Sequence, residues 1–194
     1  MNQMPLRRHF AKCLAALAAV CVVAWPAQLG AQTTADILAQ RKAAYLFNFA
    51  KYTEWPKDAF ADDSAPFVLG ILGSGKDDPF GKAIDAVKNK KVRGHDIEVK
   101  YFTDVNQTTN CHLLFICASK TNQLAEILKA LENTSVLTVA EADGFLQKSG
   151  MINLWVEKSS ASALLLNFEI NPAAAGRANL KLNTELIRLA KARS

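Results

Sequence analysis

Three histidines and four cysteines are all that the 194 residues offer to a transition metal or to imidazole or thiol chemistry. His9, Cys13 and Cys21 fall in an N-terminal segment laid out as an export signal, which leaves His95, His112, Cys111 and Cys117. His112 stands beside Cys111, but neighbours on a strand point to opposite faces, so the pair makes a poor chelate. There is no G-x-S-x-G elbow for a nucleophilic serine. The acidic pairs Asp62-Asp63 and Asp77-Asp78 sit in loop-like stretches, where solvated carboxylates are expected. Nothing in the spacing gathers a nucleophile, a base and an orienting group, so the sequence reads as non-enzymatic, with no metal and no cofactor. Basic runs are also lacking. Lys88-Asn89-Lys90-Lys91 is the one short cluster, a solvated helix end or turn, and no nucleic-acid partner is expected. Long apolar runs are missing too, since Cys13 to Ala24 covers twelve residues, against about 20 for a membrane-spanning helix.

That short run has its own meaning. Arg7, Arg8 and Lys12 precede it, Pro26 breaks it, and Leu29-Gly30-Ala31 offers a small-residue cleavage site. This is the layout of a cleavable export signal over residues 1–31, with a signal anchor as the alternative. A lipidated Cys21 is disfavoured because Val20 precedes it where a small residue is usual. The working chain is then residues 32–194, enough for one domain with a real core. Removal of the signal takes away three of 23 basic residues and none of 18 acidic ones, so the net charge falls from +5 to +2.

Periodicity divides that domain into short elements. Ala35 to Tyr52 has the apolar stripe of a helix, with Thr34 or Asp36 as its cap and Trp55-Pro56 beyond its end. Pro66 to Leu72, His112 to Cys117 and Ser135 to Val139 read as buried strands, and Ile97 to Tyr101 alternates as a half-exposed one. Asp78-Pro79 predicts a helix start, running to about Asn89, and Leu124 to Leu131 a second amphipathic helix. Asp143-Gly144-Phe145 opens a turn. Ile152 to Val156 and Leu164 to Ile170 form a closing hairpin around Glu157 to Ser160. A loosely helical stretch from Asn171-Pro172 and a last helix, Asn183 to Ala192, follow. Strand–helix alternation early and a hairpin late predict an α/β fold: a single domain with a mixed, partly parallel sheet covered by helices.

Four local features carry functional expectations. Gly70 to Lys76 fits half of a phosphate-binding loop, but Asp77 stands where Ser or Thr is needed, so nucleotide chemistry is excluded. A small ligand held by Gly73, Ser74, Gly75 and Lys76, ahead of the expected helix, remains as a sensor or carrier reading. Cys111 and Cys117 lie six residues apart on a strand, about 20 Å, whereas a disulfide needs Cα atoms about 4.4–6.8 Å apart. Both are therefore free within the chain. They are either two buried thiols, or Cys111 is exposed at the strand's start and links two chains. Tyr45, Phe47, Phe49, Tyr52 and Trp55 surround too much of one helix for a single sheet to bury, so part of that cluster faces a partner. Glu169 sits opposite Phe168 and Ile170 in the strand alternation. It is a solvated carboxylate, a partner contact, or half of an ion pair that locks the hairpin.

Lys42-Ala43-Ala44-Tyr45-Leu46-Phe47-Asn48-Phe49-Ala50-Lys51-Tyr52-Thr53-Glu54-Trp55-Pro56 resembles the opening signature of the YfiR family of periplasmic proteins. Phe67 to Gly73 with Pro79-Phe80-Gly81, Cys111 to Ile116, Val136 to Val139, Gly144-Phe145, Gly150-Met151-Ile152, Phe168 to Asn171 and the tail from Ala175 to Ala190 follow in the family's order. The resemblance implies a non-enzymatic periplasmic regulator that binds and represses an inner-membrane signalling protein. The expected partner is the sensor region of a diguanylate cyclase, which would place cyclic-di-GMP and biofilm formation under its control, or else a sensor kinase. It also implies a possible homodimer. Glu169, Ile170 and Phe145 lie in matched motifs and are the candidate partner contacts. Some relatives carry a disulfide from the first strand to the cysteine before the central strand. Here Phe67 to Gly73 holds no cysteine.

Overall fold

A computed structural model describes residues 33–73, 75–108, 110–158 and 164–191. By its own contacts the chain divides between Ala31 and Gln32, and every described residue belongs to the second unit. The export signal expected over 1–31 lies outside the described residues. No helix among the described residues is long and apolar enough to cross a membrane.

Helix α1 spans Thr34–Lys51. Its cap is Thr33, one residue earlier than expected. The Thr33 hydroxyl accepts from the Asp36 backbone N–H at 3.1 Å, and the Asp36 carboxylate takes the Thr33 N–H at 3.0 Å, a reciprocal capping box. Ala43, Leu46, Phe49 and Ala50 form its buried stripe. The buried Thr53 hydroxyl closes the far end by donating to the Phe49 carbonyl at 2.7 Å.

Strand β1 (Thr53–Glu54) and β2 (Phe67–Leu72) follow, then helix α2 (Asp85–Lys88), β3 (Lys91–Val92), β4 (His95–Phe102), β5 (Leu113–Ile116), α3 (Leu124–Ala130) and β6 (Leu137–Ala140). The chain continues through β7 (Ile152–Lys158), β8 (Leu164–Ile170), α4 (Pro172–Arg177), β9 (Lys181–Leu182) and α5 (Thr184–Leu189). Seven strands make one sheet in the order β3-β4-β2-β5-β6-β7-β8, and β1 pairs with β9 in a separate two-stranded ribbon. Strands β4, β2, β5, β6 and β7 are parallel neighbours, while β3 and β8 join antiparallel at the two edges. The mixed sheet and closing hairpin expected from the sequence are present. The two-residue strands β1, β3 and β9 are too short to leave a periodic signal.

Every residue of β2, β5 and β6 is buried, as parallel strands covered on both faces require. One face packs Leu69, Ile71, Leu113, Phe115 and Val139 against α1 and α2. The other packs Val68, Leu72, Leu114 and Ile116 against Leu124 and Ile127 of α3 and against Phe145. On the α1 side, Phe168 of β8 meets Tyr45 and Phe49 edge-on at 5.5 and 5.1 Å. Part of the aromatic cluster on and after α1 is therefore core. Tyr52 is exposed, and Phe47 lies under Lys90 at 4.5 Å.

Two expected helices differ. Asp78-Pro79 starts none. The Asp78 carboxylate instead accepts the Phe80 N–H at 2.9 Å in a local turn, and a 3-10 turn over Gly81–Ile84 leads into the four residues of α2. The final helix spans Thr184–Leu189 and buries Leu186, leaving Ile187 and Leu189 exposed.

The outer edge of β8 is closed by side chains and by the C-terminal segment. Arg41 donates to the Leu164 carbonyl at 2.9 Å, the Tyr45 hydroxyl to Leu166 at 3.0 Å and the Lys191 N–H to Phe168 at 2.9 Å. These bonds occupy acceptors that would otherwise template another strand.

Candidate functional site

The five parallel strands, numbered in chain order, lie as 2-1-3-4-5. In such doubly wound sheets ligands collect where the winding reverses, outside the carboxyl ends of the strands. That point lies between β2 and β5, where Gly73 leaves one strand and Cys117 the other. It is filled from within. A Cβ at Gly73 would stand 2.5 Å from the Cys117 Cβ and 2.8 Å from its sulfur. The Asp77 carboxylate accepts the Ser119 backbone N–H at 2.9 Å. Asp78 takes the Phe80 N–H and, at 3.3 Å, the Tyr101 hydroxyl. The Phe80 and Ser119 N–H groups beside the loop already hold the chain's own carboxylates. Gly75 and Lys76 are exposed, and Ser74 lies outside the described residues.

The candidate partner contacts separate. Ile170 is half-buried and packs with Phe168 on the α1 face, while Glu169 points to the opposite face. Glu169 accepts from the Asn153 amide at 3.0 Å, across the pair that β7 and β8 form at that position. Asn153 is buried, and its carbonyl oxygen accepts the Ala142 N–H at 3.0 Å. A neutral amide, rather than a basic residue, therefore holds Glu169 to the hairpin. Phe145 offers no surface to a partner, because it is fully buried beneath α3. Its neighbour Gly144 turns the chain at φ +71°, which drives the ring inward.

Both cysteines are free and buried, so the reading in which Cys111 is exposed and links two chains fails. The position facing Cys111 on β2 is Gly70, whose Cβ would stand 2.7 Å from the Cys111 sulfur. With glycine at that place, Cys111 has no cysteine opposite it on β2. Burial pushes both thiols up to about 12, with Asp77 and Asp78 adding to the rise at Cys117. Thiolate is the reacting form. Neither cysteine should be labelled by a thiol reagent at pH 8 until the protein unfolds, with labelling kinetics in native buffer and in denaturant as the check. Fast native labelling of Cys111 would contradict its burial.

No local pattern announces a stack of four rings at the amino end of the sheet. Phe60 lies between His95 at 4.0 Å and His112 at 4.2 Å, and His112 stacks in turn on Phe67 at 5.1 Å. The His112 Nδ1 accepts the Val68 N–H at 2.9 Å, so the proton sits on Nε2, which donates to the Ala59 carbonyl at 3.0 Å. His95 donates from Nδ1 to the Ala65 carbonyl at 2.6 Å. The two histidines thus pin the segment between Pro56 and Pro66 to the sheet. Phe60 in a polar loop had no periodic partner to announce it.

Among the described residues, no group of three or more His, Cys, Asp or Glu side chains is placed to hold a metal ion. No curated protein matches this chain. The family described as YfiR/HmsC-like matches residues 39–191, from within α1 to past α5. Most of the sequence and all nine strands lie inside that match, and the chain belongs to the YfiR/HmsC-like family.

Proposed function

We propose that this protein is exported to the periplasm, binds the periplasmic sensor region of an inner-membrane diguanylate cyclase and holds it inactive. The family is one of non-enzymatic periplasmic regulators of cyclic-di-GMP signalling, and the match over residues 39–191 is the observation that carries the reading. Deletion of the gene should raise cyclic-di-GMP and biofilm mass, and the protein should co-purify with the cyclase from membranes. Unchanged cyclic-di-GMP across several growth conditions, with no cyclase recovered, would sink the cyclase version. A sensor kinase recovered instead keeps a membrane partner and changes its class. A homodimer is compatible with either outcome. A second reading, a small ligand held at Gly73 to Lys76, would show as a thermal shift with a metabolite panel; the nearby Phe80 and Ser119 N–H groups are already taken by Asp78 and Asp77.

Glu169 and Ile170 at the end of β8 are the proposed contact. Glu169→Gln keeps an oxygen for Asn153 and removes the charge, so it should change stability by under about 0.5 kcal/mol. Repression and receptor binding should weaken. Melting curves and receptor co-purification, run side by side, read the two effects. Wild-type receptor binding in the Gln variant would remove Glu169 from the contact.

A further inference from the structure

We infer that the β7 edge beyond Asn153 is a docking site for an extended, basic peptide segment of a partner protein, which adds to the sheet as a strand. β6 ends at Ala140, opposite Asn153, and no described residue pairs with β7 on that side further on. β7 itself runs on to Lys158. The Asn171 N–H bonds to the Met151 carbonyl, and Leu164, Leu166 and Phe168 turn their carbonyls away from β7. Antiparallel alternation therefore aims the backbone groups of Asn153, Trp155 and Glu157 at β8 and those of Leu154, Val156 and Lys158 at the open side. Leu154 is buried, so the accessible edge runs over the four residues from Trp155 to Lys158, about 14 Å, enough to seat a short extended segment. A groove of about 530 Å³ lies along it, walled by Thr121, Glu141, Asp143 and Lys148. The other edge strand, β8, has its acceptors occupied, so among the described residues the β7 overhang is the part of this end of the sheet without a partner strand.

Trp155 supplies an independent observation. It sits between the buried Leu154 and the half-buried Val156 and lines the same groove. Its indole nitrogen is shut off from water and has no hydrogen-bond partner. Buried donors are almost always paired, and an unpaired one is destabilising. A strand seated in the groove, with a small shift of the ring, brings a backbone carbonyl to that N–H. Charge selects the occupant. Glu141 and Asp143 line the groove and Glu157 and Glu169 lie on the Trp155 face of the hairpin, against Lys148, the exposed Lys158 at the end of the edge and the largely buried Lys42, which pairs with Glu141, so the balance is negative by one charge. Strand addition takes affinity from main-chain bonds and specificity from side chains, so a segment rich in β-branched residues with Lys or Arg fits. This surface deepens the reading of the protein as a binder of other proteins.

The test pans a displayed library of random ten-residue peptides on the purified protein, then titrates the selected peptides. Val156→Pro removes a donor that points away from β8 and leaves the β7–β8 ladder intact. Trp155→Phe removes the indole N–H and keeps an aromatic ring, and it serves if the proline variant does not fold. Selected peptides should carry β-branched and basic residues and bind either variant at least tenfold more weakly. N-methylation of alternate peptide amides should abolish binding. On titration the Trp155 indole proton should move downfield in the NMR spectrum. That of Trp55, already donating to the His112 carbonyl at 3.1 Å, should stay in place. The inference is overturned by a failure to enrich, by equal affinity for wild type and both variants, or by tolerance of N-methylation. It is also overturned by a wild-type dimer that Val156→Pro dissolves, since the occupant is then a second copy. Peptide binding is read without cyclic-di-GMP, so its failure is distinguishable from failure of the cyclase reading.

Discussion

Phe145→Ala is expected to destabilise the protein by about 3–5 kcal/mol. The ring is fully buried among Leu124, Ile127 and Leu131 on the α3 face, and its removal leaves a cavity where α3 meets the sheet. The Gly144-Phe145 and Gly150 motifs matched in the sequence become one packing device. A Cβ at Gly150 would stand 2.4–2.5 Å from three atoms of the Phe145 ring, and the Gly150 N–H donates to the Phe145 carbonyl at 3.0 Å. Gly150→Ala should therefore cost about 1–3 kcal/mol by overpacking. In the Phe145→Ala background the added methyl enters the space the ring has left, so the same change should cost much less. Denaturant unfolding of the two single variants and the double variant measures the coupling. Additive losses would mean that the ring and Gly150 are not in contact.

His112 should tie stability to mild acid. Burial holds its imidazole below the ordinary 6.5, and the neighbouring His95 acts in the same direction, while the bond to Ala59 opposes them. A depressed histidine binds its proton more readily in the unfolded chain. Its contribution is thus fully present above the unfolded value and is lost as pH falls from 6.5 toward the folded value. The slope cannot exceed about 1.4 kcal/mol per pH unit for one proton. The structural reason is the Nδ1 lone pair, which accepts the Val68 N–H and cannot do so once protonated. His112→Phe keeps a ring in the stack but strands the Val68 N–H and the Ala59 carbonyl, at about 1–3 kcal/mol for each unpaired group. Unfolding at pH 7.5, 6.5 and 5.5 should show wild type weakening below 6.5 and the Phe variant less stable throughout but with a shallower slope. Equal slopes would assign the acid sensitivity elsewhere. Asp36 and Asp62, held below the ordinary carboxylate range by Thr33 and Ser64, do not titrate in this window.

The elements legible in the sequence were those whose signal is local. Phe67 to Leu72 and Leu113 to Ile116 are continuous apolar runs because parallel strands lose water on both faces. Ile97 to Tyr101 alternates because β4 lies toward an edge. Asn171-Pro172 capped a helix as expected, since the Asn171 side chain needs only the Ala174 N–H three residues on. Asp78-Pro79 carried the same signal and failed, because Asp78 bonds to Phe80 and Tyr101 instead.

By itself, then, the sequence determined the mixed α/β class, the order of the longer strands along the chain and the family, since these follow from hydrophobic periodicity and from motif order. Tertiary structure alone decided which side chains are available for work. Phe145, Cys111 and His112 are buried by residues far along the chain, and the anion-like loop at Gly73 is closed by Cys117 and by Asp77 bonding to Ser119. Among the described residues, β7 runs on without a partner on one side because β6 ends at Ala140. Periodicity records only whether a position meets water or protein. The identity of the neighbour is set when segments 42 to 123 residues apart pair, and no short stretch of sequence carries that information.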